Sequence, residues 1–464
     1  MLNTPFAQIA SWLRCPMPDG VPADTRVMGV STDTRSLAPG NLFFALKGAR
    51  FDGHDHLAAA AERGAVAAVV SRPQPALALP QFVVPDTLQA LQMLAQAWRQ
   101  TCPATVVALT GSAGKTTVKQ LLAAMLQAAG RTLATDGNLN NDIGVPLTLL
   151  RMDDAHRFAV IEMGANHVGE IAQLTALVQP KIGLVTMAGR AHMGEFGSAE
   201  AIVRAKGELF AGLAPDAAAI MNFDDAGLAY WQAHCDAVQA GFSLNGHPAA
   251  RWQGRYDPAA HQLAIAEAGT PLFAALPIPL PGAHNALNLL AAVAVARTAG
   301  LSAAVIAEGL AGFVPPAGRM AERRLPQGLT LLDDSYNANP ESMRAALQEL
   351  ARRPGRRVAV LGDMGELGVY SAAEHTALGA FAAALPLDAL IALGDDMRAT
   401  VAAFNAVRRG AAAVESVEAA VSAVQPWLAD QSSPLTVLFK GSRFMRIERV
   451  LAALAPTAET GEGH

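Results

Sequence analysis

Val106-Val107-Ala108-Leu109-Thr110-Gly111-Ser112-Ala113-Gly114-Lys115-Thr116-Thr117 is an apolar run that ends in a glycine-rich turn. A helix is predicted to start near Thr116 and to run through Leu122, Met125 and Leu126. Gly111 and Gly114 let the backbone turn its N–H groups inward with no Cβ in the way. The following helix adds free N–H groups and the positive end of its dipole, so the turn suits a polyphosphate. Lys115 can then reach the outer phosphates, and the Thr116 hydroxyl can ligate their magnesium. The spacing is tighter than in the usual phosphate loop, because Leu109 stands where its first glycine belongs. Gly111, Ser112, Ala113, Gly114, Lys115, Thr116 and Thr117 are therefore the candidate ATP contacts.

Outward from this turn, short apolar strands are predicted at 106–110, 158–163, 182–187 and 218–221, separated by helical stretches and preceded by a helix over 87–99. Such alternation argues for a mostly parallel sheet covered on both faces, with ligands at the carboxyl ends of its strands. Upstream, 27–30, 41–46 and 65–70 read as strands and 56–62 as a helix, with prolines 73, 75, 80 and 85 marking the exit. Downstream, Gly312-Phe313-Val314-Pro315-Pro316-Ala317-Gly318 reads as a hinge. A second βα series follows it, with strands at 329–333, 358–362, 390–394 and 435–439. The expected fold is α/β in three domains. These are a small α/β domain over 1–85, a central phosphate-loop domain over 86–313 and a Rossmann-like domain over 314–464.

The length of 464 residues exceeds one ordinary core. Hydrophobic residues make up 52% and charged ones 16%, which excludes a disordered chain, and the net charge of −5 argues against a nucleic-acid surface. Cys15, Cys102 and Cys235 are odd in number and widely spaced, a pattern that fits neither a disulfide framework nor a zinc site. The first residues, with Asn3, Pro5 and Gln8, lack the features of a signal peptide, so the expected compartment is the cytoplasm. The uncharged stretch 268–296 is broken by Pro271, Pro277, Pro279 and Pro281 and cannot be a membrane helix.

Several polar residues fall at strand ends or helix starts. Glu162 closes the strand 158–163 beside the phosphate turn, where a carboxylate can hold magnesium; the lesser alternative for a lone acid there is a solvated loop residue. His192 follows the strand 182–187 and can ligate a metal or meet a phosphate; a lone histidine is more often structural. Lys206 lies on a predicted helix, where a solvated face is the default. Asn285 and Asn288, three apart, put two amides on one face of a helix's first turn, suited to a purine edge or a phosphate. Arg319 follows the Pro-Pro hinge and can swing onto a phosphate. Asp333-Asp334-Ser335-Tyr336-Asn337-Ala338-Asn339-Pro340 is a dense polar turn whose acid can accept from a ribose hydroxyl, or which can be Asx-turn chemistry alone.

Together these stretches resemble the Mur ligases over nearly the whole chain, from Ser31-Thr32-Asp33-Thr34-Arg35 to Lys440-Gly441-Ser442-Arg443. The motifs that carry the resemblance are 110–117, Gly-Asn-Leu-Asn-Asn-Asp-Ile-Gly-Val-Pro at 137–146 and Glu-Met-Gly-Ala at 162–165. To these are added Gly-x-His-Asn-x-x-Asn at 282–288 and Asp-Asp-Ser-Tyr-Asn-Ala-Asn-Pro at 333–340. The resemblance implies ATP and Mg2+ as cofactors, with Thr116, Glu162, His192 and Lys206 at the metal. It implies that Lys206 is the lysine many of these ligases carbamylate. It places Asn285 and Asn288 by the adenine, Arg319 at a phosphate and Asp334 at the ribose. Lys115, His192, Lys206 and Arg319 are the implied catalytic set. Thr34, Arg35, Lys47 and Gly48 would meet the UDP end of the acceptor, and Asn337 and Asn339 the incoming dipeptide.

The second and last motifs point to the branch that ligates D-alanyl-D-alanine to UDP-N-acetylmuramoyl-tripeptide through an acyl phosphate, with no nucleic-acid partner and a monomeric state expected. Two departures stand out: Met187 replaces a customary asparagine, and the acid near the histidine is displaced to Glu195. Within the same class the rival is the ligase adding the third residue of the peptide, with a folylpolyglutamate-type ligase more remote. From another class the rival is a phosphate-loop ATPase or a nucleotide-gated regulatory protein, which would turn over ATP without an acceptor.

Overall fold

A computed structural model describes residues 2–189, 193–430 and 432–454. Three larger sheets organise the described residues, beside a two-stranded pairing of Thr4–Pro5 with Arg26–Val27. The first has four parallel strands in sequence order, Gly29–Ser31, Asn41–Phe44, Ala67–Val70 and Gln81–Val83. Ahead of it lies a helix absent from the sequence-based expectations, Phe6–Leu13, which buries Phe6, Ile9, Ala10 and Leu13 at the helical period. Phe6 meets Phe82 edge to face at 5.1 Å, and Trp12 meets Trp98 of the helix Thr87–Thr101 at 6.4 Å. These contacts merge the first sheet's core with that of the central sheet.

The central sheet has nine strands. Thr105–Thr110 lies between Ile182–Val185 and Phe158–Glu162, all parallel. Alternate residues of Thr105–Thr110 enter different cores: Val106 and Ala108 one, Val107 and Leu109 the other. Both faces are therefore covered, as the unbroken apolar run required. One part of the sheet differs from the expected parallel pattern. Trp252–Asp257, Gln262–Glu267 and Thr270–Pro277 form an antiparallel meander at one edge. Its edge strand Thr270–Pro277 is mostly exposed, and prolines at its start and end are tolerated there because an edge strand need not donate every N–H.

The third sheet has six strands, five of them parallel. Ala321–Leu325 pairs antiparallel with Leu329–Asp334 at one edge, and Ala411–Val414 closes the other. Neither edge strand was read from the sequence, since Ala321–Leu325 carries three consecutive charges and Ala411–Val414 is mostly alanine. Among the described residues no helix is long and apolar enough to cross a membrane, and the three cysteines are unpaired.

Candidate active site

The phosphate turn stands at the carboxyl end of Thr105–Thr110, and the helix after it begins at Lys115. Gly111 has φ +149°, and a Cβ there would lie 1.9 Å from Thr186 Oγ1. Gly114 has φ +82°, and a Cβ would fall 2.3 Å from Asn288 Oδ1. Both positions thus exclude any side chain, for backbone and for steric reasons. The turn is braced from the neighbouring strand end. Thr186 Oγ1 donates to Ala113 O at 2.6 Å, and Ser112 N donates to Met187 O at 2.9 Å. Asn222 Nδ2 in turn donates to Thr186 O at 3.0 Å. Asp225, whose carboxyl burial pushes above the usual range, accepts from Ala188 N at 2.8 Å. Met187, which stands where an asparagine was expected, braces the turn through its backbone oxygen, so its side chain is not needed for that contact.

Lys115 is half-buried and its Nζ donates to Gly111 O at 2.6 Å. Burial, then the nearby Arg319 charge, hold its ammonium below the usual range, while Glu162 and Glu366 oppose the shift. Thr116 Oγ1 donates to Glu162 Oε2 at 3.1 Å and accepts from Arg319 across the hinge at 3.0 Å. Glu162 is buried rather than solvated. Burial alone would raise its pKa, but Lys119 and Lys115, the Asn140 amide and Arg319 together hold it below the usual carboxylate range. Lys119, fully buried, lies 3.2 Å from Glu162 Oε2 and donates to Gly137 O at 3.0 Å. The sequence reading missed this residue, although its place four positions after Lys115 puts it on the same helix face.

Lys206 is buried, against the solvated default for a helical lysine. Its Nζ lies 3.4 Å from Ala165 O and 5.1 Å from the centre of the Phe196 ring. Burial, then repulsion from Lys115, lower its pKa to about 7. His192 lies outside the described residues. Glu195, the displaced acid, sits 3.7 Å from His167 in an exposed pair.

Across the turn, Asn285 Nδ2 donates to Pro281 O at 2.8 Å and Asn288 Nδ2 to Asn285 Oδ1 at 3.2 Å, so both amides do stand on one face. Burial lowers the neighbouring His284 to about 4, leaving a neutral ring. Arg319 lies over the Tyr336 ring at 4.3 Å. Asp334 is less open than expected, since it accepts from Lys440 Nζ at 2.5 Å and from Met320 N at 3.1 Å.

Asn339 is engaged by its own helix and by the phosphate turn. Its Oδ1 accepts from Ser342 N at 2.8 Å as the N-cap of the helix Pro340–Ala351, with Ser342 Oγ accepting from Asn339 N in return. Its Nδ2 points across the hinge to Ser112 O at 3.4 Å. Asn337 Oδ1 likewise accepts from Ala338 N at 2.9 Å. The carbonyl oxygens of both amides are thus engaged by backbone, and the Asn339 NH2 group is engaged as well.

Two clefts open here. One, of about 710 Å³, lies between the second and third sheets and is lined by the turn 112–117, Glu162, Asn285, Asn288, Arg319, Asp334, Asn337 and Asn339. The other, of about 690 Å³, runs along Gln89, Gln92, Gln96, Gly164 and Gln173. They share Lys115, Asn140 and Asn166. Thr34, Arg35, Lys47 and Gly48 line neither cleft: Arg35 is exposed and paired with Asp33 at 2.6 Å, and Gly48 N donates to Phe51 O at 2.9 Å in a local turn. Thr116 Oγ1 and the Glu162 carboxylate are hard oxygens of the kind that would hold a magnesium completed by water and phosphate. Among the described residues no three histidine, cysteine or acidic side chains cluster to form a metal cage.

The chain matches three family descriptions in order: "Mur ligase family, catalytic domain" over 26–99, "Mur ligase middle domain" over 109–296 and "Mur ligase, glutamate ligase domain" over 318–443. It is 43% identical over 440 residues to the UDP-N-acetylmuramoyl-tripeptide–D-alanyl-D-alanine ligase of Escherichia coli K12, covering 93% of this chain and 94% of that one. A crystal structure of MurF from Acinetobacter baumannii superposes with a TM-score of 0.90 at 34% identity, covering 97% and 98% of the two chains. The MurF ligase of Thermotoga maritima in complex with ADP superposes at 0.81 with 27% identity, covering 92% and 97%.

Proposed function

The chain belongs to the Mur ligase family, and from that membership we propose that it ligates D-alanyl-D-alanine to UDP-N-acetylmuramoyl-tripeptide at the expense of ATP. The product is the UDP-MurNAc-pentapeptide precursor of peptidoglycan, made in the cytoplasm by a monomeric enzyme. The observation that carries the reading is the meeting of two clefts at Lys115: one fits a nucleotide and the other an extended, amide-recognised acceptor.

In this reading residues 1–85 hold the UDP end through Thr34, Arg35, Lys47 and Gly48. Residues 86–313 bind ATP, and 314–464 bring the dipeptide. A carboxylate oxygen of the tripeptide attacks the γ-phosphorus, ADP leaves and an acyl phosphate forms. The dipeptide amine then attacks the acyl carbon, and phosphate departs from the tetrahedral intermediate. Anion must meet anion in the first step, so Lys115 and Arg319 act by neutralising charge in a site from which water is excluded. Thr116 and Glu162, with His192, would hold magnesium, which supplies further neutralisation when bound. Lys206 adds an anion there if its amine takes up CO2. Asn285 and Asn288 face the adenine and Asp334 the ribose. Arg319 reaches Thr116 from beyond the hinge, so the phosphate site is completed only when the second and third units close.

The test is ligation by the purified chain with ATP, magnesium and a panel of acceptors and amines. D-Ala-D-Ala on the tripeptide acceptor should win by at least about tenfold over any single amino acid. Preference for a single amino acid on the shorter dipeptide acceptor would reassign the chain to the ligase of the preceding step. ATP turnover indifferent to acceptor and amine would leave only an ATPase.

A further inference from the structure

A guanidinium that stabilises a phosphoryl transfer must arrive with its N–H groups free for the phosphate. Arg319 faces two obstacles to this. Its long side chain has many rotamers to lose, and its charge acts on the ammonium of Lys115, which repels it. A carboxylate partner would offset the repulsion but would occupy the N–H fork. The face of an aromatic ring attracts the cation without consuming a donor.

Such a ring is present and is held in place. Arg319 Cζ lies 4.3 Å from the centre of the Tyr336 ring, while Nη2 donates to Thr116 Oγ1 at 3.0 Å. Arg443 stands farther from the same ring, at 6.0 Å, and pairs with Glu448 at 2.9 Å. Hydrogen bonds tie the segments of Arg319 and Tyr336 together. Gly318 N donates to Asp333 Oδ2 at 3.2 Å, Met320 N to Asp334 Oδ1 at 3.1 Å and Tyr336 N to Gly318 O at 3.0 Å. A Cβ on Gly318 would lie 3.0 Å from Tyr336 N, so the two backbones are in close contact. Asp333 Oδ1 also accepts from Ser335 Oγ at 2.6 Å, which fixes the turn just before the ring. Met320 is buried with φ +54°, a left-handed conformation that a residue with a Cβ seldom adopts. Strain of this kind persists where the surroundings impose it, and here it flanks the arginine that crosses to the phosphate turn. Arg319 and Tyr336 thus belong to one braced piece of the third unit, on the far side of the hinge from Thr116.

We propose that Tyr336 is a positioning residue for Arg319. Its ring supports the guanidinium as the third unit closes and aims the N–H groups at the phosphate turn. The face of the ring acts, not the hydroxyl, and it acts only through Arg319. This role rests on the ligase reading above.

The test measures steady-state ligation by the full chain, Tyr336→Leu, Tyr336→Phe, Arg319→Ala and the double variant Tyr336→Leu/Arg319→Ala, each below its melting midpoint. Tyr336→Met replaces the leucine variant should that one not fold. Tyr336→Leu should lower kcat about three- to thirtyfold, the range expected for losing one cation–ring contact. KM for D-Ala-D-Ala and for the tripeptide acceptor should stay within about twofold. Tyr336→Phe keeps the ring and should restore kcat to within about twofold of the unchanged chain. With Arg319→Ala already present, Tyr336→Leu should change the residual kcat by less than about twofold, because the group it positions is gone. Additive losses in the double variant, an unchanged kcat in Tyr336→Leu, or a Tyr336→Phe as slow as Tyr336→Leu overturns the proposal. A rise in KM for ATP or for the dipeptide that persists without Arg319 overturns it equally, since the ring then touches that substrate itself. If the unchanged chain ligates no dipeptide, the ligase reading falls and this role with it; if it does and one of these results appears, the positioning role alone falls.

Discussion

Replacing Lys206 by alanine should remove most of the ligation and leave a residual activity that small carboxylic acids restore. The reasoning begins with burial: the Lys206 amine is 2% exposed and titrates near 7, against an ordinary value of 10.5. At pH 7.5 roughly three-quarters of such amines are neutral, compared with about one in a thousand for an unperturbed lysine. Only the neutral amine can add CO2; the N–C bond forms, a proton leaves and a carbamate results. That exchange turns a cation repelled by Lys115 into an anion that magnesium and Lys115 attract.

Losing this anion should lower kcat by about 10²–10³-fold, the usual effect of deleting one electrostatic stabiliser of a transition state. Acetate added to Lys206→Ala should recover part of it. In wild type supplied with bicarbonate, activity should rise as pH climbs through 7, and the acetate-rescued variant should lack that step. The same shift carries a stability sign. Below pH 7 folded and unfolded chains both hold the proton, and the full cost of burying the charge is present. Between pH 7 and 10.5 the unfolded chain binds more protons, so stability from this group rises with pH. Near-wild-type activity of the unrescued variant, or 13C-bicarbonate spectra without a lysine carbamate signal, would refute the reasoning.

Lys115→Ala should lower kcat/KM by more than about 10³-fold, since this charge acts on the phosphates, and thermal unfolding should show no loss of stability. Gly111→Ala should destabilise by about 2–3 kcal/mol, from left-handed strain and the displaced Thr186 hydrogen bond, as read by urea unfolding; an unchanged midpoint would contradict the 1.9 Å contact. Lys119→Met strands Glu162 in the interior and should cost about 3–5 kcal/mol, much of it recovered when Glu162→Gln is added. Glu162 titrates below its ordinary 4.5, so the stability it contributes is present above that value and disappears as pH falls through the lowered pKa; in Lys119→Met acid unfolding should begin at higher pH.

The sequence by itself determined what neighbouring residues decide: the strand, turn and helix of 105–129, the parallel runs of the two larger sheets, and the motifs that tie the chain to its family. These follow from glycine freedom, apolar runs and helix-start chemistry, all of which act over a few residues. Charged or alanine-rich edge strands and the antiparallel meander lack such local signals and were not legible. Tertiary structure alone decided which polar groups meet. Thr116 reaches Glu162 across 46 positions, Thr186 reaches Ala113 across 73, and Arg319 reaches Thr116 across 203. Whether an asparagine such as Asn339 serves a ligand or caps its own helix, and whether Lys206 is solvated or buried, depends on which surfaces pack over it. Strand order sets those surfaces, and no stretch of contiguous residues encodes strand order.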